Sequence, residues 1–257
     1  MNKTPIISIK NLVKNYGTKQ VLKGIDLDIY PGQIIGYIGP NGAGKSTTVK
    51  ILIGLIPDFE GTVTINNIDL QSAPLEIKKI IGYVPENAEL YEVLTPMEYL
   101  DFVGQLQGMD NAVITERAIK MLRYFNLEAN KDQRMDTFSK GMRQKVLLIS
   151  ALIHNPQIIV LDEPLSGLDA NAVILVKEII SLLAKEGKTI FYCSHMMDVV
   201  EKVSDRIVLI NDGTIIANGT FDELQQNQGE SLEKIFSKLT NKEHAEHSTS
   251  SFLNVFE

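Results

Sequence analysis

The pattern of apolar and polar residues predicts strands through the first part of the chain. Apolar and polar residues alternate along "IISIKNLV" and "LKGIDLDI", as they do in strands with one buried face. "QIIGYI" is continuously apolar and predicts a strand buried on both faces. "GTVTINNIDL" predicts a hairpin that turns at Asn66 and Asn67. Apolar residues at helical spacing predict one amphipathic helix before this hairpin: Val49, Leu52, Ile53 and Ile56.

The residue pattern in the middle of the chain predicts helices. "TPME", at residues 95–98, has the composition of a capping box, with Thr95 as the cap and Glu98 reaching back to it. "NAVITERAIKMLRYF" has the apolar spacing of a second amphipathic helix. A third helix is predicted over 138–154, and Ser139 is its expected cap.

Strands and helices alternate in the last third of the chain. "QIIVL", "KTIFYC" and "DRIVLI" predict strands, and "NDGT" predicts a hairpin turn. "TFDE" at 220–223 predicts another capping box. "DANAVILVKEIISLLAKEG" predicts a helix that stops at Gly187. Its expected inward face consists of Val173, Val176, Ile180 and Leu183.

This order of elements predicts an α/β fold. We expect one domain over residues 1–239, with a helical part at about 87–155 inserted between two strand-rich parts. Residues 240–257 form a polar tail in this interpretation. Sheets in such folds are mainly parallel and bind ligands at the carboxyl ends of their strands.

Composition and charge narrow the class of protein. The 257 residues carry a net charge of -7, and the pI of about 5.2 argues against a general nucleic-acid binder. Cys193 is the only cysteine, so no internal disulfide can form, which fits a reducing compartment. No apolar run approaches the roughly 20 residues that a membrane helix needs. The sequence therefore predicts a soluble cytoplasmic protein that acts on a membrane only through another chain.

"GPNGAGKS", at residues 39–46, matches the phosphate-binding pattern G-x-x-x-x-G-K-[ST]. Its glycines allow successive N–H groups to point at phosphate oxygens, and the following helix presents its positive end to them. Lys45 is predicted to contact the β- and γ-phosphates, and Ser46 to bind Mg²⁺. The alternative is a structural glycine turn. A predicted buried strand before the loop and a predicted helix after it favour the phosphate site.

"IIVLDEP", at residues 158–164, places two acids at the end of a predicted buried strand. Asp162 is predicted to hold Mg²⁺ through water. Glu163 is the candidate for the group that orients or deprotonates the attacking water. The alternative is a pair of acids at a solvated strand end.

"FSKGMRQKV", at residues 138–146, places three cations at the start of the third predicted helix: Lys140, Arg143 and Lys145. Cations are unfavourable there, because the amino end of a helix already carries a partial positive charge. Two explanations are open at this point. The turn is either solvated or part of an anion-binding site.

Over residues 5–239 the chain resembles the nucleotide-binding subunits of ABC transporters. "GPNGAGKST" resembles their Walker A motif, "IIVLDEP" Walker B, "SGLD" at 166–169 the D-loop, and "CSH" the switch histidine. "NYG" resembles the loop whose aromatic ring stacks on adenine, and "FSKGMRQK" stands where the family carries the signature LSGGQ. The resemblance implies a P-loop NTPase core with a mainly parallel sheet, an N-terminal antiparallel β subdomain and an inserted α-helical subdomain. It also implies an ATPase that uses ATP and Mg²⁺.

The resemblance assigns roles to individual residues. Catalysis would fall to Glu163, His195 and Lys45. Nucleotide contacts would come from Tyr16, Gly39, Pro40, Asn41, Gly42, Ala43, Gly44, Lys45, Ser46, Thr47, Glu86 and Asp162, with Ser46, Asp162 and Glu86 at Mg²⁺. The D-loop would use Ser166 and Asp169, and the signature would use Ser139, Lys140, Gly141 and Met142. Three residues have ordinary alternatives, namely a strand-end core position for Tyr16 and plain solvation for Glu86 and His195.

In the family, two subunits enclose two ATP molecules head to tail, and the signature of one contacts the γ-phosphate held by the other. The cations of "FSKGMRQKV" would then face a phosphate of the second subunit. Lys140 replaces a glycine of the family signature, and Met142 replaces its glutamine. Glu86, after "YVP", replaces the usual glutamine that contacts Mg²⁺. These departures resemble the export-type branch, whose permeases are separate small chains.

The resemblance therefore implies a motor subunit that lies peripherally on the cytoplasmic face of the cell membrane. ATP would close a dimer, expected to be a homodimer, and hydrolysis would open it to drive an integral membrane permease on a separate chain. No nucleic-acid partner is expected. One alternative is a non-transport ABC ATPase that acts on a soluble assembly partner. Another is a P-loop kinase or GTPase, although the sequence has no N-K-x-D guanine motif.

Overall fold

The computed structural model of the chain describes residues 4–87, 90–225 and 229–240. Its strands are β1 (Ile7–Tyr16), β2 (Lys19–Ile29), β3 (Ile34–Ile38), β4 (Glu60–Ile65), β5 (Ile68–Asp69), β6 (Ile81–Val84), β7 (Ile158–Asp162), β8 (Thr189–Ser194), β9 (Arg206–Asn211) and β10 (Thr214–Gly219). Its α-helices are α1 (Lys45–Leu52), α2 (Pro74–Ile80), α3 (Pro96–Leu106), α4 (Asn111–Tyr124), α5 (Lys140–Leu152), α6 (Ala170–Lys185), α7 (Met197–Val203), α8 (Phe221–Leu224) and α9 (Leu232–Leu239). Short 3-10 turns lie at Glu128–Asn130 and Met135–Thr137.

The N-terminal strands form an antiparallel sheet in the order β2-β1-β4-β5. Buried and exposed residues alternate along much of β1 and β2, so that one face packs on the core. The β4–β5 hairpin turns at Asn66 and Asn67, whose φ angles of 52° and 62° are both left-handed. Asparagine tolerates this conformation better than most residues do. The predicted hairpin is confirmed.

The second sheet is mainly parallel and has the order β10-β9-β3-β8-β7-β6. Only β10 runs antiparallel to its neighbour within this sheet, and it follows the predicted "NDGT" turn. Every residue of β3, β7 and β8 is buried, because helices cover both faces of the sheet. The predicted α/β class with an antiparallel N-terminal sheet and a mainly parallel sheet is confirmed.

Helices α3, α4 and α5 follow one another between β6 and β7 and pack together, so the predicted helical insertion is confirmed. Thr95 and Glu98 form the predicted capping box, with N–H···O distances of 3.2 Å and 2.8 Å. Ser139 Oγ accepts a hydrogen bond from the Met142 N–H at 3.2 Å, as expected of the cap of α5. The domain limits of 1–239 and 87–155 stay predictions.

The structure differs from the sequence prediction at several short elements. Helix α1 ends at Leu52, because Gly54 takes a left-handed φ of 70°, so Ile53 and Ile56 follow the helix. Helices α2, α7 and α9 and strand β6 were not predicted from the pattern. Each has only four to eight residues, too few to show a clear period. The predicted polar tail covers residues 240–257, and all of it after Thr240 lies outside the described residues.

Among the helices of the described ranges, none is long and apolar enough to cross a membrane.

Loss of the capping box of α3 should destabilise the fold. Thr95→Ala removes the acceptor for the Glu98 N–H and should lower the free energy of unfolding by about 1 kcal/mol. Thr115→Ala is the matched control, because Thr115 is exposed inside α4 and alanine favours a helix interior. Urea unfolding followed by circular dichroism measures both. Equal stability of the two variants would contradict the role of the cap.

Candidate functional site

Four neighbouring strands of the parallel sheet end at one edge, and a polar cleft lies there. The phosphate-loop sequence follows β3, Glu86 follows β6, Asp162 ends β7, and His195 follows β8. The cleft has a volume of about 320 Å³. It is lined by Asn41, Lys45, Ser46, Glu86, Asp162, Glu163 and His195. The structure therefore brings together seven of the residues that the sequence analysis selected.

The loop between β3 and α1 depends on its glycines. A Cβ on Gly39 would lie 2.2 Å from the Ile210 carbonyl oxygen, so only glycine fits against β9. Gly44 has a φ of 109° immediately before the first residue of α1, a conformation that other residues rarely adopt. The loop thus turns sharply into the helix and leaves the amino end of α1 at the cleft.

The Lys45 side chain folds back over this loop. Its Nζ donates hydrogen bonds to the carbonyl oxygens of Gly39 at 2.7 Å and Pro40 at 3.2 Å. Asn41 and Ser46 line the cleft together with Lys45, and both are exposed. The other predicted loop residues, Gly42, Ala43 and Thr47, are sequence neighbours of this group and do not themselves line the cleft.

Asp162 is a buried acid in a cleft with surplus negative charge. Burial raises its pKa above the usual value, and the nearby carboxylates of Glu86 and Glu163 raise it further. A hydrogen bond from the buried Cys193 thiol and the charge of Lys45 act in the opposite direction. Three carboxylates with one ammonium group form a site that favours an added cation.

These residues fit Mg²⁺ held together with a phosphate ligand. Mg²⁺ commonly binds one or two protein carboxylates and completes its shell with substrate phosphates and water. Ser46, Glu86 and Asp162 offer oxygens at the same cleft. In the described parts of the chain, no three His, Cys, Asp or Glu side chains are arranged to hold a metal on their own. The chemistry of the site therefore suits a metal that arrives with a nucleotide.

Glu163 is held by the last residue of β8 and by the residue that follows it. Its carboxylate accepts hydrogen bonds from Ser194 Oγ at 2.8 Å and from the His195 N–H at 2.8 Å, and its Oε1 lies 2.6 Å from His195 Nδ1. Only 11% of the Glu163 side chain is exposed, against 69% of His195. The backbone of Glu163 is left-handed, with a φ of 48°, which is strained for a residue other than glycine. Its position is therefore fixed from both the backbone and the side chain.

The signature residues lie away from this cleft. Ser139, Lys140, Gly141 and Met142 span the start of α5, and none of them lines the cleft. Tyr16, at the end of β1, does not line it either. Tyr16 is 48% exposed, and Lys14 Nζ lies 5.1 Å from the centroid of its ring.

The start of α5 instead contacts the loop after β7, which holds the D-loop sequence. Lys140 Nζ donates to Ser166 Oγ at 3.0 Å, and Gln144 Nε2 donates to the Pro164 carbonyl oxygen at 3.1 Å. A Cβ on Gly141 would lie 2.9 Å from the Gly167 carbonyl oxygen. Asp169 ends this loop and caps α6, since it accepts from the Ala172 N–H at 2.9 Å.

The cations of "FSKGMRQKV" do not all share one role. Arg143 forms an ion pair with Glu92 at 2.8 Å, so its charge is already balanced within the chain. The expectation that the three cations face a phosphate of a second subunit stays a prediction, and Arg143 would do so only as part of this ion pair. Its partner lies about 50 positions earlier in the sequence, and the local pattern could not identify it.

Sequence reasoning missed several residues that support the site. Ser194 and Cys193 hold Glu163 and Asp162, and Gln144 ties α5 to the loop after β7. Ser194 and Cys193 had one available signal, because they directly precede His195 in "CSH". Gln144 is buried in α5, where its Nε2 makes this hydrogen bond while its Oε1 has no partner among the described residues, so nothing in the local sequence marked it.

Comparisons with known proteins agree with this arrangement. The family model described as ABC transporter matches residues 22–166. The linearmycin resistance ATP-binding protein LnrL of Bacillus subtilis is 36% identical over 219 residues, which cover 85% of this chain and 70% of LnrL.

Two solved structures have the same fold. An ATP-binding subunit of an ABC transporter has a TM-score of 0.86 and 32% identity, and the match covers 91% of this chain and 99% of that one. The dimeric ATP-binding cassette MJ0796, in a post-hydrolysis state bound to ADP and Pi, has a TM-score of 0.76 and 28% identity. That match covers 83% of this chain and 98% of the cassette.

The raised pKa of Asp162 should make the stability of the folded state depend on pH. The folded state holds this proton to a higher pH than the unfolded chain does, so stability falls as the pH rises above the ordinary value of 3.8. Asp162→Asn removes this cost while keeping the side-chain shape. We expect the nucleotide-free variant to melt roughly 2–4 °C higher at neutral pH, the shift that about 1 kcal/mol gives in a domain of this size.

Differential scanning fluorimetry at pH 7.5 and pH 5.0 measures this effect. The gain should be smaller at the lower pH, where more of the wild-type carboxyl group is protonated. Asp110→Asn is the matched control, because Asp110 is exposed and its side chain makes no capping bond. A variant that melts below the wild-type protein at both pH values would refute the prediction.

Proposed function

The chain belongs to the ABC transporter family as an ATP-binding ATPase subunit, and we propose that it is the motor of an exporter, working as a homodimer around two Mg-ATP. The observation that carries this proposal is the cleft at the carboxyl ends of β3, β8, β7 and β6. There a phosphate loop faces Asp162, Glu163 and His195.

The phosphates of ATP would bind at the loop 39–46. Lys45 would exchange its hydrogen bonds with the Gly39 and Pro40 carbonyl oxygens for the β- and γ-phosphate oxygens. The N–H groups at the start of α1 would complete the anion site. Ser46, Asp162 and Glu86 would hold Mg²⁺, which when bound neutralises charge on the phosphate oxygens. Tyr16, at the exposed end of β1, would stack on the adenine ring.

Hydrolysis would depend on Glu163. Its carboxylate would orient the attacking water and accept its proton, because it lies in the cleft beside Lys45 and Ser46. Ser194 and the His195 N–H hold that carboxylate, so they are positioning groups for the reaction. His195 would also sense the γ-phosphate, since its ring is largely exposed at the cleft while Nδ1 contacts Glu163.

A second subunit would complete each site. Ser139, Lys140, Gly141 and Met142 lie outside the cleft of their own chain, and the first two are exposed. The Ser139 hydroxyl and the N–H groups at the start of α5 could bind an anion brought by another chain. Support comes from the similar cassette MJ0796, which is dimeric in its ADP and Pi complex. Ser166 and Asp169 would lie at the same interface.

The proposals for a permease partner and for the direction of transport rest on similarity to other proteins. The name of LnrL assigns that relative to linearmycin resistance, a role that suits removal of a compound from the cell. The sequence "SKGMRQ" and Glu86 also resemble the export-type branch. We therefore place the dimer peripherally on the cytoplasmic face of the cell membrane, bound to an integral membrane permease and to no nucleic acid.

The role of Glu163 can be tested with Glu163→Gln. The variant keeps the side-chain shape and loses the base, so ATP turnover should fall at least about 100-fold, within the range for removal of a general base. ATP binding should persist, and light scattering should show a dimer in ATP and Mg²⁺. Glu178→Gln is the control, because Glu178 is exposed on α6 away from the cleft. A Glu163→Gln protein that stays monomeric at high protein and ATP concentrations would remove support for the dimer.

The partner can be identified from the host. The tagged Glu163→Gln chain should be purified in ATP and Mg²⁺ from detergent-extracted membranes, and its companions identified by mass spectrometry. We expect a polytopic membrane protein in roughly equal amount, and the Glu178→Gln chain should recover less of it if ATP strengthens the complex. Recovery of soluble partners alone would replace the transporter proposal with the assembly-factor alternative.

A further inference from the structure

A second recess lies outside the cleft that holds the phosphate loop. This groove, formed by α4, the end of α5 and the C-terminal half of α6, has a volume of about 510 Å³. Its walls are mainly apolar and include Met121, Tyr124, Phe125, Leu152, Ile179 and Leu182. None of its lining residues also lines the ATP cleft. A volume of this size is in the usual range for small-molecule sites.

The floor of the groove contains no polar side chain. Phe125, Leu152, Ile159, Ile179 and Leu183 line the groove and also border a small space beneath it, whose remaining lining residues are all aliphatic. At the rim, Tyr124 and Leu182 are 74% and 60% exposed, a large apolar exposure for two neighbouring helices. Covering these side chains would remove apolar surface from water and is therefore favourable.

Two cations stand at one end of this apolar groove. Arg117 Nη1 donates to the Ile153 carbonyl oxygen at 2.8 Å, and Lys188 Nζ donates to the Asn155 carbonyl oxygen at 3.2 Å. Neither forms an ion pair with a carboxylate of the described residues. The third cation of the groove, Lys120, is already paired with Glu116.

Arg117 and Lys188 are close enough to repel each other. Partial burial lowers the pKa of the Lys188 ammonium, and the charge of Arg117 lowers it further. Two neighbouring cations without an ion-pair contact are notable in a chain with a net charge of -7. An anion at this end would relieve the repulsion and gain two charge-assisted hydrogen bonds.

We propose that this groove binds a free, single-chain anionic amphiphile, such as a medium-chain fatty acid. Its apolar chain would lie between α4 and α6 on Phe125, Ile179 and Leu182. Its carboxylate would lie at Arg117 and Lys188. The charge pattern selects the ligand class, because a purely apolar molecule would leave the cation pair unbalanced and an inorganic anion would leave the apolar walls exposed.

Binding of decanoate to the full-length protein tests the proposal. Isothermal titration calorimetry, without nucleotide and below the micelle concentration, should give a saturable single site. Decanol has the same chain without the charge and should bind at least about tenfold more weakly. Equal affinity for decanol would overturn the assignment of an anionic ligand. Because this measurement needs no ATP turnover, its failure is separate from failure of the proposed function.

Substitutions at the exposed Leu182 and the half-buried Lys188 locate the site outside the buried core. Leu182→Glu and Lys188→Glu each place a negative charge in the groove and should weaken decanoate binding at least about tenfold. Leu75→Glu and Lys234→Glu are the matched controls, because Leu75 is 70% exposed on α2, Lys234 is exposed on α9, and neither lines the groove. Decanoate binding that survives both groove substitutions would overturn the proposal.

A remaining candidate for the groove is the chain itself, since "FLNVFE" at 252–257 also combines apolar residues with an acid. Phe252→Ser with Phe256→Ser in the full-length chain tests this occupant. Under our proposal, the double variant binds decanoate as the wild type does. A rise in decanoate affinity of about tenfold or more would show that the segment competes for the groove and would replace the small-molecule assignment.

Discussion

The parallel register of β6, β7, β8 and β3 is the constraint on which the cleft depends. Hydrogen-bonded neighbours place Val84 beside Leu161, Asp162 beside Cys193, and Ile38 beside Ser194. The four strands therefore end at nearly the same level, and the polar residues that follow them meet there. A slip of one residue in β7 would move Asp162 to the other face of the sheet. Apolar packing on both faces of the sheet thus sets the positions of the charges.

The residues of the cleft lower the stability that this apolar packing provides. Asp162 is buried near two other acids, and Glu163 has a left-handed backbone that costs roughly 1–3 kcal/mol. Apolar packing in the adjoining core can offset this destabilisation. Tyr37 of β3 and Phe191 of β8 are fully buried with ring centroids 5.0 Å apart, in two of the strands that end at the cleft. A bound cation and phosphate would reverse part of the electrostatic penalty, so ligand binding should also stabilise the fold.

Local sequence patterns predicted the longer elements and the residues of the cleft, because both leave short-range signals. The capping box at Thr95, the asparagine turn and the glycine loop each depend on residues a few positions apart. The pattern failed where distant residues decide the structure. Strand β6 has only four residues and owes its place to β7, and Arg143 is balanced by Glu92. Likewise, only the folded chain brings Ser194 to Glu163 and Lys140 to Ser166.

The contacts between α5 and the loop after β7 connect two regions that would face different nucleotides in the proposed homodimer. The backbones of Gly141 and Gly167 approach so closely that a Cβ on Gly141 would lie 2.9 Å from the Gly167 carbonyl oxygen, and the Lys140 and Gln144 hydrogen bonds reinforce this contact. In the proposed homodimer, α5 would touch the ATP held by the partner, whereas the loop continues from Asp162 and Glu163 of its own chain. Occupancy of one nucleotide site would then alter the geometry of the other. Such coupling between the two sites would appear as a dependence of turnover on ATP concentration with a Hill coefficient that differs from unity.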